Sequence, residues 1–211
     1  MTRGPHEHPI PGPAAEVAAL LSAQLPQIET ARLRLRALRL SDFDVWAEIL
    51  CGPSGPDLGG PFDRDAAFVE FAASAGMWLL RGFGPWAVEP RAGGAVLGFV
   101  LIGFEPGDRE PELGYLFRPL AEGQGYATEA ATAARDHGFA ALGLARLVSY
   151  VAPGNAASVR LAERLGAVRE GAVDGAQVWV HRPVARTPVS ARVKTQGRRR
   201  EDAVTTSKGG A

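Results

Sequence analysis

The sequence predicts one domain of the mixed α/β class, built from residues 29–184. Its 211 residues are 46% hydrophobic and 22% charged, the proportions of an ordinary globular chain. Segments with the two-residue period of strands alternate with segments of helical period in the order β-α-α-β-β-β-α-β-α-β-β, without an internal repeat. This order predicts a single mixed sheet covered by helices.

The first 28 residues are predicted to be a flexible segment with a short helix. Met1–Pro13 is rich in proline and glycine and has no apolar pattern from which to build a core. Ala14–Leu25 carries apolar residues at helical spacing, which predicts a short helix docked on the domain. Because this stretch contains Glu16 and no basic run, a signal peptide is not expected. With no apolar run long enough to cross a bilayer, a cytoplasmic location is predicted.

The domain is predicted to begin with one strand and two helices. Ala31–Leu40 alternates apolar residues with arginine, the pattern of a half-buried strand. Ser41 and the acids after it predict a helix that runs to Leu50. A second helix is predicted over Asp63–Arg81, with Gly82 as its stop.

Apolar runs and turn residues after Gly82 predict the rest of the sheet and two more helices. The first two strands of this part join through a glycine-containing hairpin turn, and each helix ends at a glycine. The elements are strands at Trp86–Glu89, Val96–Phe104 and Pro111–Pro119, a helix at Thr128–Leu142, a strand at Leu144–Val151, a helix at Asn155–Leu165, and a hairpin of Ala167–Gly171 with Gln177–His181 across Asp174-Gly175. The fourth and fifth strands of the domain are then Pro111–Pro119 and Leu144–Val151.

The turn Glu122-Gly123-Gln124-Gly125-Tyr126-Ala127 is the most informative local feature. Its glycines remove side chains where backbone N–H groups converge, and the helix that starts at Thr128 adds free first-turn donors and a positive dipole end. A phosphate or pyrophosphate fits there, although a Gly-x-Gly turn also occurs as a plain tight turn. Thr128 replaces the third glycine of a dinucleotide fingerprint, and residues 1–185 contain no lysine for a Walker A loop. Such an anion would be held mainly by backbone amides.

The overall balance of 23 basic and 23 acidic residues hides an uneven distribution. From Arg186 onward the chain has seven basic and two acidic residues, including both of its lysines, Lys194 and Lys208. We predict that residues 185–211 form a basic, disordered tail. The tail is either a solvated end or a weak contact for an anionic partner such as nucleic acid, and the sequence leaves both open.

Three motifs follow one another in the order and spacing of a known enzyme superfamily. They are Glu112-Leu113-Gly114-Tyr115, Gly123-Gln124-Gly125-Tyr126-Ala127-Thr128-Glu129-Ala130, and Asn155-Ala156-Ala157-Ser158 with Leu165-Gly166. Over Glu29–Val184 the chain resembles the GNAT (Gcn5-related N-acetyltransferase) superfamily, in its branch of ribosomal-protein-alanine-acetyltransferase-like enzymes. The resemblance implies a mixed, mostly antiparallel central sheet with helices on both faces, whose fourth and fifth strands splay apart to admit acetyl-CoA.

The resemblance also implies an activity and its co-substrate. The chain would be an acetyl-CoA-dependent N-acetyltransferase that moves an acetyl group directly to a primary amine, either a protein N-terminus or a small amine, without a metal. The alternative is a non-catalytic GNAT-like domain that binds acyl-CoA or another protein. Two departures favour the alternative: Glu122 stands where the family usually has Gln or Arg, and Ala162 stands where many members have a catalytic Tyr. The sequence leaves the acceptor open, and leaves open whether the protein is a monomer or a homodimer.

Coenzyme-binding residues follow from the resemblance position by position. The loop amides would hold the pyrophosphate, the strand before the loop would pair its backbone with the pantetheine arm, and the start of the next helix would contact the same arm. The residues so assigned are Gly123, Gln124, Gly125, Tyr126, Ala127 and Thr128 for the pyrophosphate, Leu116, Phe117 and Arg118 for strand-like pairing, and Asn155 and Ser158 at the pantetheine.

The chemistry of acetyl transfer selects candidate catalytic residues. The amine must lose a proton, the oxyanion needs donors, and the departing thiolate benefits from a proton. Glu112 on the fourth strand is the candidate base, or else a solvent-facing acid, and a backbone amide near Leu116 is the candidate oxyanion donor. Ser158 is the hydroxyl left on the helix that carries Ala162, and is a candidate acid or simply part of a helix cap with Asn155.

Three further residues have open assignments. Trp86 is a candidate wall of the acceptor pocket, although a large aromatic side chain at an element junction also fits a core position. His137 and His181 are far apart in the sequence, which favours structural roles over catalysis or a metal site.

Overall fold

The structure is a computed structural model and describes residues 3–183. One eight-stranded sheet has the order β1-β2-β3-β4-β5-β6-β8-β7, and every neighbouring pair is antiparallel except β5 and β6. The strands are β1 Ile28–Glu29, β2 Leu33–Arg36, β3 Pro85–Pro90, β4 Gly98–Gly103, β5 Glu112–Phe117, β6 Leu147–Val151, β7 Val168–Val173 and β8 Ala176–His181. The α-helices are α1 Pro13–Gln24, α2 Phe43–Leu50, α3 Arg64–Arg81, α4 Tyr126–Ala140 and α5 Ala156–Arg164.

The predicted fold class is confirmed, with one added strand. Ile28 pairs with Leu35 and Glu29 with Arg34, so a two-residue strand precedes the first predicted one. The predicted fourth and fifth strands are therefore β5 and β6. No helix among residues 3–183 is both long and apolar enough to cross a bilayer.

Strands β5 and β6 splay apart, as the resemblance implied. Their only registered pair is Glu112 with Val148, at one end of both strands. The next contacts use side chains: Ser149 Oγ donates to the Leu113 carbonyl at 2.7 Å, and the Glu112 carboxylate accepts from the Tyr150 amide at 3.2 Å. A gap in the middle of the sheet results, because these contacts replace a continuous backbone ladder.

Helices cover both faces of the sheet. On one face α4 presents Ala130, Ala131 and Ala134, all fully buried, together with Gly138. A Cβ at Gly138 would lie 2.8 Å from Ile102 Cδ1, so a larger residue here would require the Ile102 side chain to shift. On the opposite face α2 and α3 form an aromatic cluster with β4, including Phe43, Trp46, Phe71 and Phe99.

Helix α3 follows its sequence signals closely. The Asp63 side chain accepts from the Ala66 amide at 2.8 Å, and Gly82 ends the helix with a φ of 74°. The final hairpin is also confirmed, since β7 and β8 join across Asp174 (φ 49°) and Gly175 (φ 89°). Helix α4 begins at Tyr126, two residues before the predicted start.

The helix predicted at residues 14–25 forms, but not with the predicted docking. None of its residues is buried, and Val17, Leu20 and Leu21 are 56%, 67% and 52% exposed. Leu25, just after the helix, is instead the side chain that packs against the core. The apolar spacing correctly predicted the helix, but its period carries no information about a partner surface.

The segment before α1 is attached to the domain, which differs from the predicted flexible end. Glu7 is buried, and its carboxylate accepts from Arg64 Nε at 2.8 Å. The His6 ring lies edge-on to Phe68, with 4.5 Å between centroids. Glu7 and Arg64 are far apart in the sequence, so their ion pair leaves no local pattern from which it could be predicted. The predicted basic tail, residues 185–211, lies outside the described residues.

Candidate active site

Two connected cavities meet at the gap between β5 and β6. The larger, of about 1130 Å³, lies against the end of β5 and the starts of α4 and α5. The smaller, of about 570 Å³, lies between β5, β6 and the loop after α2. Both are lined by the same six residues at their junction: Asp57, Leu58, Tyr115, Leu116, Asn155 and Ser158. A molecule in one cavity can therefore contact a molecule in the other.

The larger cavity contains an uncapped helix N-terminus. Gly125 is the N-cap of α4 with a φ of 76°, Gly123 has a φ of 70°, and no side chain caps the helix. Residues 125–128 therefore present amides without an intrahelical acceptor. Of the six predicted loop residues, five line the cavity: Gly123, Gly125, Tyr126, Ala127 and Thr128. Gln124 does not; its side chain donates to the Leu120 carbonyl at 2.9 Å.

Arg32 fixes this loop from outside, a role that the sequence did not reveal. Its Nε donates to Glu129 Oε2 at 2.7 Å, and its Nη1 donates to the Gln124 carbonyl at 3.0 Å. The same guanidinium lies over the Tyr126 ring, 4.6 Å from the centroid. Arg32 thus ties the loop and the first turn of α4 to the start of β2. It is more than ninety positions from the loop, so no local motif connects them.

Two arginines of α5 supply positive charge to the larger cavity. Arg160 and Arg164 both line it, and Arg164 Nε donates to Thr128 Oγ1 at 3.3 Å. Glu122 also lines the cavity and is exposed, and it forms no ion pair within residues 3–183. The two arginines therefore line the same cavity as the acidic residue of the loop, Glu122.

Strand β5 turns alternate backbone groups toward the gap. On the side of β4, the Arg118 amide donates to the Leu97 carbonyl at 3.0 Å. On the opposite side, the Leu113 carbonyl accepts from the Ser149 hydroxyl across the gap. Because backbone groups alternate along a strand, Tyr115 and Phe117 point their N–H and C=O into the gap.

The three residues predicted to pair with a pantetheine arm therefore differ in position. The Leu116 side chain lines both cavities, and Phe117 lines the larger one. Arg118 lines neither, and its guanidinium pairs with Glu48 at 2.9 Å. By the alternation of the strand, the backbone of Leu116 faces β4 rather than the gap.

Glu112 lies at the gap and lines the smaller cavity. Its side chain is half-buried, with one oxygen bonded to the Tyr150 amide. Burial raises the pKa of Glu112 to about 8, and the nearby charges of Asp108 and Glu105 add to this, against the opposing effect of the Tyr150 amide. The carboxylate form of a group with this pKa is a stronger base than an ordinary glutamate, and it is the main form above about pH 8.

Two residues that carry hydroxyl groups, Tyr115 and Ser158, line the junction of the two cavities. Tyr115 Oη donates to the Ser158 carbonyl at 3.2 Å, and burial raises the pKa of Tyr115 to about 12. The Ser158 amide donates to Asn155 Oδ1 at 3.0 Å, which confirms the helix-cap interpretation of Asn155. Sequence analysis included Tyr115 in a motif but assigned it no role. Its position opposite Ser158 depends on how α5 packs on the sheet.

Trp86 lies in the core and lines neither cavity. It is fully buried, its indole Nε1 donates to the Pro26 carbonyl at 2.8 Å, and its ring lies 4.8 Å from that of Trp78. The structure therefore differs from the expectation that Trp86 walls an acceptor pocket. The reason is the strand register, which directs this residue to the face covered by α4.

His181 supports the gap rather than contributing chemistry. Its Nε2 lies 3.0 Å from Ser149 Oγ, the same hydroxyl that bonds to Leu113. Burial lowers the pKa of His181 to about 4, so its ring is neutral at physiological pH. Within residues 3–183 no three His, Cys, Asp or Glu side chains are placed to hold a metal ion.

These features are those of a group-transfer enzyme. One cavity offers free helix-terminal amides and arginines to an anion, and the other offers a proton acceptor, with a gap in the sheet between them. The comparison with known families agrees: the Acetyltransferase (GNAT) domain matches residues 32–168. The chain therefore belongs to the GNAT acetyltransferase family, which confirms the resemblance seen in its motifs.

Individual proteins resemble this chain in sequence or in structure. YkkB of Bacillus subtilis strain 168 is 37% identical over 92 residues, which cover 41% of this chain. The match spans 52% of the length of YkkB, about half of that protein. An acetyltransferase from Agrobacterium tumefaciens has a TM-score of 0.72 and 33% identity, over 76% of this chain and 96% of its own. RimJ of Mycobacterium smegmatis, solved in complex with CoA-disulfide, has a TM-score of 0.54 and 24% identity, over 71% and 81% of the two chains, and shows likeness of fold alone.

Proposed function

We propose that this protein transfers an acetyl group from acetyl-CoA to a primary amine, by direct transfer while both molecules are bound. The observation that carries the proposal is the junction of the two cavities at the gap between β5 and β6. The larger cavity suits a long anionic co-substrate, and the smaller would hold an amine beside Glu112. The acceptor class within this proposal is a protein N-terminus or a small amine.

The residues around the larger cavity fit coenzyme A. The amides of residues 125–128 and the dipole of α4 suit a pyrophosphate, with Arg160 and Arg164 in reach of further phosphate charge. The backbone groups of Tyr115 and Phe117 would pair with the amides of the pantetheine arm as an added strand. When bound, the thioester supplies the acetyl group.

Glu112 would accept the proton of the ammonium group, directly or through water. An amine attacks only as the free base, and the ionised form of a carboxyl whose pKa is about 8 is a stronger proton acceptor than an ordinary glutamate and predominates above about pH 8. An amide on the gap side of β5, at Tyr115 or Phe117, would hold the oxyanion. Ser158 and Tyr115 are the hydroxyls from which the leaving thiolate would take a proton.

Release of free CoA measures this activity. We expect turnover with acetyl-CoA and a panel of primary amines, and a loss of about 100-fold or more in kcat/KM for Glu112→Gln. Glu16→Gln, the same change of charge on the exposed face of α1, serves as the control and should behave as the wild type.

A non-catalytic GNAT-like domain that binds acyl-CoA or a protein is the second candidate. The exposed Glu122 at the loop and the buried Ala162 at the usual tyrosine position favour it. Acetyl-CoA binding without turnover for any amine, and unaffected by Glu112→Gln, would establish this alternative and remove the first proposal.

A further inference from the structure

The smaller cavity has a strongly one-sided charge. Its acidic lining residues are Asp57, Glu70, Glu105, Asp108, Glu112 and Asp174. No arginine, lysine or histidine among the described residues lines it. The larger cavity differs, since Arg160 and Arg164 line it beside its own acids, Asp57, Glu122 and Glu129. Of the two cavities, only the smaller therefore combines several carboxylates with no basic side chain among the described residues.

None of these six carboxylates has a basic partner within residues 3–183, whereas acids elsewhere in the domain, such as Asp42, form ion pairs. Asp108 Oδ2 accepts only from the Glu105 amide, at 2.6 Å. The pKa of Glu105 is raised by burial and by its neighbours Glu70 and Asp108, as expected for acids that share one cavity. The negative charge of those that are ionised is left for a bound molecule to compensate.

A metal ion does not fit this charge, because no three acidic or histidine side chains among the described residues converge as ligands. The carboxylates are spread along the wall, which suits an extended organic cation. Trp46 adds an independent feature of the same wall. It is 3% exposed, and its indole Nε1 has no hydrogen-bond partner among the described residues. This donor is therefore a further unsatisfied polar group in a residue of the same wall, beside the unpaired carboxylates.

We propose that the acceptor is a primary amine that carries a second positive charge. This inference rests on the proposed function, because it takes the smaller cavity as the acceptor site. The reacting nitrogen lies near Glu112 at the gap, and the second charge lies toward Glu70 and Glu105. A charge at contact distance from partly exposed carboxylates is worth roughly a tenfold gain in affinity or more. A diamine and a basic peptide N-terminus share this chemistry.

Calorimetric binding of matched amines to the full chain tests the proposal without requiring turnover. Pentylamine and 1,5-diaminopentane have the same carbon chain and differ in one charge. We expect the diamine to bind with a Kd lower by about tenfold or more at low salt, and the ratio to shrink at high salt. In Glu70→Gln/Glu105→Gln the ratio should fall toward one, whereas in Glu16→Gln it should persist. Thermal melts of each variant check that the fold is kept.

The outcomes separate this inference from the proposed function. Equal Kd values for the two amines, including no binding of either, overturn the inference, as does a preference that persists in the double variant. Selective binding of the diamine without CoA release removes the proposed function and leaves the charged site standing. A tripeptide amide with lysine at its second position, compared with its leucine analogue, then identifies the source. Stronger selectivity for the lysine peptide than for the diamine supports protein N-termini, and the reverse supports small amines.

Discussion

Replacing Glu112 with glutamine removes one charge from the site and keeps the shape of the side chain. The pKa of Glu112 rises from 4.5 to about 8, first through burial and then through Asp108 and Glu105. Between these pH values the folded protein holds a proton that the unfolded chain has released. The free energy of unfolding of the wild type therefore falls as pH rises through this window, and the full cost is present above about pH 8.

The size of this effect follows from the change in pKa. Moving the pKa from 4.5 to about 8 corresponds to at most about 5 kcal/mol, because each unit is worth about 1.4 kcal/mol. Water at the half-buried carboxyl screens part of it, so we expect about 2 to 4 kcal/mol. At pH 5 the protonated acid and glutamine are nearly isosteric, and either can accept from the Tyr150 amide. The variant should therefore match the wild type at pH 5 and exceed its stability at pH 8.5.

Urea unfolding at pH 5, 7 and 8.5, followed by tryptophan fluorescence, measures the difference, with Glu16→Gln as the control. The same Glu112→Gln protein should lose the rise of kcat/KM with pH that we expect of the wild type around pH 8. A stability difference that stays constant from pH 5 to 8.5 refutes the account of the raised pKa. A variant that keeps the pH-rate rise refutes Glu112 as the base.

Three further changes test the supports of the site. Tyr115→Phe removes the bond to the Ser158 carbonyl and should lower kcat about tenfold with little change in the KM for acetyl-CoA; an unchanged kcat would exclude a role for this hydroxyl. Arg32→Ala frees the loop from Glu129 and Gln124 and should raise the KM for acetyl-CoA about tenfold; an unchanged KM would show that the loop holds its shape unaided. Ser149→Ala leaves the Leu113 carbonyl and His181 without their partner and should lower the free energy of unfolding by about 1 to 3 kcal/mol in urea titrations, and a loss below this range would contradict the importance of that bond.

The elements that sequence analysis predicted best are those with local start and stop signals. Helix α3 has an aspartate cap and a terminal glycine, and the last hairpin has Asp174-Gly175, so each boundary depends on residues a few positions apart. The errors also have local causes. Strand β1 is too short to show a period, and α4 starts early because the left-handed Gly125 ends the turn one residue before Tyr126.

The candidate site was predictable only where a motif carried it. The loop glycines, Glu112 and Ser158 belong to motifs, and the structure places all of them at the two cavities. Arg32 and Tyr115 act through partners distant in the chain, which no motif indicates. Trp86 has a residue type suited to a pocket wall, but the register of β3 puts it in the core.

The sequence by itself determined the mixed α/β class, the family and the uncapped glycine turn before α4, because periodicity, motifs and turn residues act over short distances along the chain. Only the tertiary structure decided the charge of the smaller cavity. Its acids come from the loop after α2, from α3, from the loop before β5, from β5 itself and from the turn of the last hairpin, and only Glu112 belongs to a motif. Their effect depends on burial and mutual distance, since the field of a carboxylate group is set by its neighbours in space.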